Sequence, residues 1–188
     1  MADQGSEGLL SPFLRKQRIR AVKPYLNGSI LDYGCGSGEL AREVSHENYF
    51  GIDIDQESIL VAREKFSSYR FASAAEPCTE KFDTVVSMAV IEHVKQPEQF
   101  LLTLAGFLSK KPSARIVITT PHPTMDWIHG AGSSIGLFSK HANDEHEELL
   151  DRKKLSAAGE KCQLVLSHYS RFLFGANQIA IFKIKSNN

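Results

Sequence analysis

Apolar residues come along this chain in short bursts, separated by stretches where they recur at helical spacing. Ser11-Pro12 can open a helix with proline at its first position, and Phe13, Leu14, Ile19, Val22 and Leu26 give that helix a stripe to bury before Asn27-Gly28 ends it. A first strand is expected over 29–33, a helix over about 38–46 and a second strand over 49–54. Asp55 can then cap a helix over 56–66, and 69–73 makes a short third strand. The β-branched run FDTVVSM, 82–88, predicts a buried fourth strand. Pro97 opens a helix whose Phe100, Leu101, Leu104 and Leu108 share a face, and 114–120 forms a fifth strand that Pro121 stops. The rhythm breaks over 121–144, where prolines and glycines mix with Trp127, Ile128, Leu137 and Phe138; a long segment of this kind suits a binding loop or lid. A last helix is expected over 145–158 with Gly159 as its cap, then two alternating strands, 163–170 and 178–185, joined by a turn over 171–177. Strands alternating with helices predict an α/β chain. The sheet is doubly wound, mostly parallel and seven-stranded, and ends in an antiparallel hairpin. Residues 1–10 are expected to be a disordered tail, and 11–188 a single domain carrying a substrate cover at about 121–144.

The chemistry begins at ILDYGCGSG, 30–38. A strand ends in Asp32 and breaks into Gly34, Gly36 and Gly38 before a helix-forming segment, which is the unit that cradles a nucleoside-bearing ligand at the carboxyl edge of a sheet. The second strand ends in Asp53, where a carboxylate can accept both ribose hydroxyls. A dinucleotide fingerprint would need glycine at position 39, which is Glu. A carboxylate there is a poor neighbour for a pyrophosphate, so G-x-G-x-G after Asp32 suits a phosphate-free cofactor with an amino-acid tail. With GIDID at 51–55, FDTVVSMAVIEHV at 82–94 and ITTP at 118–121, the chain resembles the class I S-adenosylmethionine-dependent methyltransferases, of the type 11/12 kind. The resemblance covers about 29–121 and, more weakly, the tail to 185. It implies a Rossmann-like fold, S-adenosylmethionine as cofactor and S-adenosylhomocysteine as product. It also implies that Asp32 fixes the methionine end, that Gly34, Cys35, Gly36 and Gly38 form the cradle, that Asp53 holds the ribose, and that Ile54 packs on the adenine. The acid that often takes the adenine amino group is replaced by Ser73, leaving Glu76 or the Ala74 backbone for that contact, and Met88 falls where the family places a residue against the cofactor. Within quinone and polyketide O-methyltransferases the histidine of IEHV, His93 after Glu92, lies near the substrate. His93 is therefore one candidate catalytic base and His122, of the 121–150 group among which no spacing picks one out, another; Trp127 and Phe138 are expected to line the acceptor pocket.

Composition narrows the partners. Twenty-two basic and twenty-two acidic residues cancel, so nothing draws the whole chain to nucleic acid or an anionic membrane. Arg15, Lys16, Arg18, Arg20 and Lys23 form one basic run, which reads as a solvated helix face. Cys35, Cys78 and Cys162 share no metal-like spacing and, being odd in number, no disulfide framework. The polar start lacks the organisation of a signal peptide and no apolar run nears the roughly eighteen residues of a membrane helix, so a cytoplasmic location is expected. His129, His141 and His146 join His122 near several acids, but the tight Glu-x-x-His-His pattern of small-RNA 2′-O-methyltransferases is missing and no metal is expected. The reading is methyl transfer to a small-molecule hydroxyl or amine by a monomer or homodimer. A catalytically silent cofactor-binding subunit is the alternative, and an NAD-dependent dehydrogenase, disfavoured by Glu39, comes third.

Overall fold

The computed structural model describes residues 11–125 and 149–185. Its helices and strands are α1 (Ser11–Val22), β1 (Ile30–Tyr33), β2 (Tyr49–Asp53), α2 (Gln56–Lys65), β3 (Arg70–Ser73), β4 (Thr84–Met88), α3 (Pro97–Gly106), β5 (Arg115–Pro121), α4 (Arg152–Lys161), β6 (Leu164–Phe172) and β7 (Asn177–Ile184). Among the described residues the strands form one seven-stranded sheet in the order β3-β2-β1-β4-β5-β7-β6. The first five strands run parallel, and β7 enters antiparallel between β5 and β6. The strand order reverses at β1, so the carboxyl ends of β1 and β4 part around a crevice.

Alternation along the buried strands divides the core into two layers. Ile30, Tyr49, Val86, Val117 and Ile179 face α1 and α2, meeting Val22, Ile59 and Ala62. Leu31, Ile52, Val85, Ile116 and Phe182 face α3 and α4, meeting Leu101, Leu104, Leu155 and Ala158. Helices on both faces leave little sheet in water, which is why the central strands read as continuous apolar runs. Among the described residues, no helix is long and apolar enough to cross a membrane.

Several expectations need correction. The helix over 38–46 is a 3-10 turn, Glu39–Glu43, followed by a second one, His46–Asn48. Gly38 precedes it in the left-handed region at φ 78°, Val44 leaves it extended, and the chain must re-enter the sheet at Tyr49, which leaves no room for a regular helix. Of the helix expected over 145–158, residues 145–148 lie outside the described residues and 149–151 are not helical; α4 begins at Arg152, where the Asp151 carboxylate accepts the Lys154 amide. Gly159 is inside that helix, not at its cap, because the Phe182 ring presses on it: a Cβ there would fall 2.7 Å from the ring. β5 includes Pro121, and the final turn shortens to 173–176. Proline is tolerated because it is the terminal residue of β5, paired with Asn177. Phe13 is exposed, although the stripe that contains it is otherwise at least half-buried.

Candidate active site

The turn after β1 is sewn to β2: the Gly34 and Cys35 amides donate to the Ile52 carbonyl at 2.8 and 3.1 Å. Gly34, Gly36 and Gly38 all have positive φ, at 83°, 50° and 78°. Their surroundings differ. A Cβ on Gly34 would sit 2.4 Å from Val90 Cγ2 and one on Gly38 2.8 Å from the Phe71 ring, whereas a Cβ on Gly36 would meet nothing within 4 Å. Gly34 and Gly38 are thus closely packed where a Cβ would sit, and of the three only Gly36 has room for a Cβ. The turn, Gly34 included, lines a cavity of about 610 Å³, walled also by Leu14, Arg15 and Arg18 of α1, by the start of α2, and by Met88 and Ala89. Ala89 is held at φ 57°, a conformation costing an alanine roughly 1 kcal/mol, by its amide bond to the Thr119 carbonyl at 2.8 Å.

Asp53 ends β2 with both carboxylate oxygens engaged. Oδ2 accepts the Gly36 amide at 2.7 Å and Oδ1 the Asp55 amide at 2.9 Å. Those bonds aim the carboxylate at the cradle and leave each oxygen a further lone pair. Asp32 is 1% exposed; its Oδ2 accepts the Tyr49 hydroxyl at 2.8 Å, while Oδ1 is buried without a hydrogen-bond partner. Burial pushes the Asp32 pKa up to about 7, with the Tyr49 bond opposing and Asp53 adding to the rise. Asp32 does not line the cavity, but an unpartnered carboxylate oxygen at the root of the glycine turn favours a cation nearby. Glu39, at the cavity rim, would have its pKa raised by burial, yet its Lys65 and Arg42 partners hold it below the usual carboxylate range. It is thus a negative charge facing any pyrophosphate, in keeping with the absence of a dinucleotide fingerprint.

The other expected residues divide. Met88 is half-buried on the cavity wall. Ile54 stands 83% exposed beside the cradle, an apolar face open to a purine. The Ala74 amide donates to the Asp53 carbonyl at 2.8 Å, so any base contact from Ala74 falls to its carbonyl or methyl group. Glu76 folds back onto the Ser73 amide at 2.9 Å. His93 is exposed on the turn after β4 and does not line the cavity; its neighbour Glu92 is the buried one, 1% exposed, with Oε2 accepting the Thr120 hydroxyl at 3.0 Å. His122 follows β5, and its Nδ1 accepts the Thr124 amide at 3.2 Å beside the Thr124 hydroxyl at 2.9 Å. Burial lowers its pKa, Arg171 lowers it further, and Asp151 acts in the opposite sense. With the Nδ1 lone pair engaged, the neutral ring carries its proton on Nε2. Trp127 and Phe138 lie outside the described residues.

Arg18 is a site residue that the pattern of the chain does not single out. Lys16, Arg20 and Lys23 are solvated as expected, but Arg15 and Arg18 turn inward to the cavity. Arg18 Nε donates to Asn177 Oδ1 at 3.0 Å. Burial lowers its pKa and Glu92 pulls the other way, so the guanidinium stays charged. The available signal was the three-residue spacing of Arg15 and Arg18 beside Leu14 and Val22, which puts both on the helix side that packs inward.

Residues 9–169 match a family model described as a methyltransferase domain. The mitochondrial ubiquinone biosynthesis O-methyltransferase of Homo sapiens is 33% identical over 133 residues, covering 60% of this chain and 36% of that protein. The ubiquinone biosynthesis O-methyltransferase of Caulobacter vibrioides is 32% identical over 130 residues, covering 63% of this chain and 50% of that protein. The chain thus spans half or less of the length of these two curated relatives. The crystal structure of the magnesium protoporphyrin IX methyltransferase of Synechocystis, with bound SAH, has the same fold at a TM-score of 0.70 and 15% identity, covering 97% of this chain and 90% of that one.

Proposed function

Since this chain belongs to the class I S-adenosylmethionine-dependent methyltransferases, we propose that it transfers a methyl group from that cofactor to a hydroxyl of a small molecule. The observation that carries the reading is the cavity at the β1–β4 crevice, where open Gly36 and the cation of Arg18 face one space and the Asp53 carboxylate is tied to the Gly36 amide at its edge. These groups fit a nucleoside with an amino-acid tail. Asp53 would accept the ribose hydroxyls, Ile54 cover the adenine, Asp32 compensate the ammonium and Arg18 take the carboxylate. When bound, the cofactor supplies an electrophilic methyl group on a sulfonium.

The chain's own task is then alignment and exclusion of water, which accounts for most of the rate in such a displacement. Met88 and the strained Ala89 close the wall at the end of β4. A hydroxyl acceptor also needs a base. His122 has the environment for one, since its lowered pKa keeps the ring neutral near pH 7. Its basic atom is Nδ1, so taking up a proton requires the Thr124 contact to open. Neither histidine lines the cavity; His122 is preferred because its ring is held by Thr124, and His93, exposed on the turn after β4, is set aside. The relatives' names favour oxygen over nitrogen as acceptor. We place the chain in a reducing compartment such as the cytoplasm on its three free cysteines, although the human relative is mitochondrial by name.

The test is formation of S-adenosylhomocysteine with a panel of catechols, phenols and amines. Turnover on the hydroxylated members is expected. Tight cofactor binding with turnover on none of them would instead identify a silent cofactor-binding subunit.

A further inference from the structure

Arg18 and Asn177 come from opposite ends of the sequence and meet at 3.0 Å. Asn177 opens β7, paired with Pro121 on one side and Phe172 on the other, and is 4% exposed. By strand alternation it shares a face with Ile179 and Ile181, the face that α1 covers. We propose that Asn177 is a positioning residue for the cofactor's carboxylate, taking the Arg18 Nε–H so that the two Nη groups present a fork to the cavity. The proposal rests on the reading of Arg18 given above.

The physical case comes from the guanidinium. Its five N–H donors lie in one plane, so anchoring Nε orients the other four. Among the described residues, the Asn177 bond is the hydrogen bond that the Arg18 side chain makes; its Nη groups make none, and Arg18 lines the cavity. Glu92 attracts the guanidinium from nearby, but its Oε2 is already bound to Thr120, so it offsets charge without filling the fork. The neutrality of Asn177 follows the same logic. An aspartate would hold the guanidinium equally well but would compete with an incoming carboxylate for its charge. A long side chain anchored in advance also loses less freedom on binding.

Calorimetric titration with two probes decides the matter. S-adenosylhomocysteine carries the amino-acid carboxylate, and 5′-methylthioadenosine is the matching thioether without it. Arg18→Ala should weaken S-adenosylhomocysteine strongly and leave methylthioadenosine unchanged. Asn177→Ala should weaken the first by about five- to tenfold, the scale of one ordinary hydrogen bond, and again spare the second. The Arg18→Ala/Asn177→Ala double variant should bind no worse than Arg18→Ala alone. Asn177→Ser, too short to reach Nε, should repeat the result if the alanine variant folds poorly. No selective loss in Arg18→Ala would overturn the reading of Arg18. A selective loss there, with none in Asn177→Ala and Asn177→Ser, would overturn only the positioning role. Equal losses on both probes would make Asn177 a structural residue and overturn it too.

Discussion

Asp32 couples the cradle to pH. Its folded pKa of about 7 lies above the ordinary 3.8, so the folded chain holds this proton more tightly than the unfolded chain does. The stability it contributes is complete below the unfolded value and disappears as pH rises through about 7. Each tenfold difference in proton affinity between the two states corresponds to about 1.4 kcal/mol. Urea midpoints measured from pH 4 to 8 should fall for the parent on this account and stay flatter for Asp32→Asn. A cofactor ammonium near Oδ1 would favour the ionised form, so affinity for S-adenosylhomocysteine should rise across the same window in the parent only. The glycines separate by the same local logic. Gly36→Ala should cost about 1 kcal/mol of left-handed strain and weaken cofactor binding. Gly34→Ala should cost clearly more stability, since its Cβ meets Val90; similar melting temperatures for the two variants would refute that division.

At the level of elements, α4 shows how a neighbour overrules local preference. Alanine is favoured over glycine inside a helix by about 1 kcal/mol. Gly159 nevertheless lies in α4 because the helix packs its backbone against Phe182, with a Cβ position 2.7 Å from the ring. Gly159→Ala should therefore lower stability, overpacking of about 1–3 kcal/mol outweighing the propensity gain. Gly159→Ala/Phe182→Leu should recover part of the loss; a melting temperature that rises in the single variant would show that the layers yield. The 3-10 turn after Gly38 makes the same point. Leu40 and Ala41 are fully buried there as a helix face would be, but the span to Tyr49 decides the geometry.

For the molecule as a whole, the cavity at the crevice draws its walls from α1, the β1 turn, α2 and the end of β4, elements on both sides of the switch point. A ligand that binds there joins parts distant in sequence and should stabilise the entire cooperative unit. S-adenosylhomocysteine at a hundred times its Kd should add about 2.7 kcal/mol, seen as a raised melting temperature, while NAD at equal concentration should add nothing. A comparable shift with NAD would contradict the phosphate-free site that Glu39 argues for.

Much of this was legible from the order of residues because it depends on near neighbours. Strand and helix types follow apolar periodicity, the Asp55 cap follows one side chain reaching the next turn, and the cradle follows glycines that a positive φ demands. Asp53 was legible for the same reason, ending a strand whose place beside β1 is set by a short crossover. Contacts at long range decided the rest. Spacing along α1 puts Arg18 and not Arg20 on the inward side, but only the docking of α1 onto the sheet brings Arg18 to Asn177. IEHV does not say which of its two polar residues is buried; the 3-10 turn after β4 does, sending Glu92 to Thr120 and leaving His93 exposed. Periodicity can say that a residue belongs to a buried face, but a partner 159 positions away is chosen by the packing of the finished sheet.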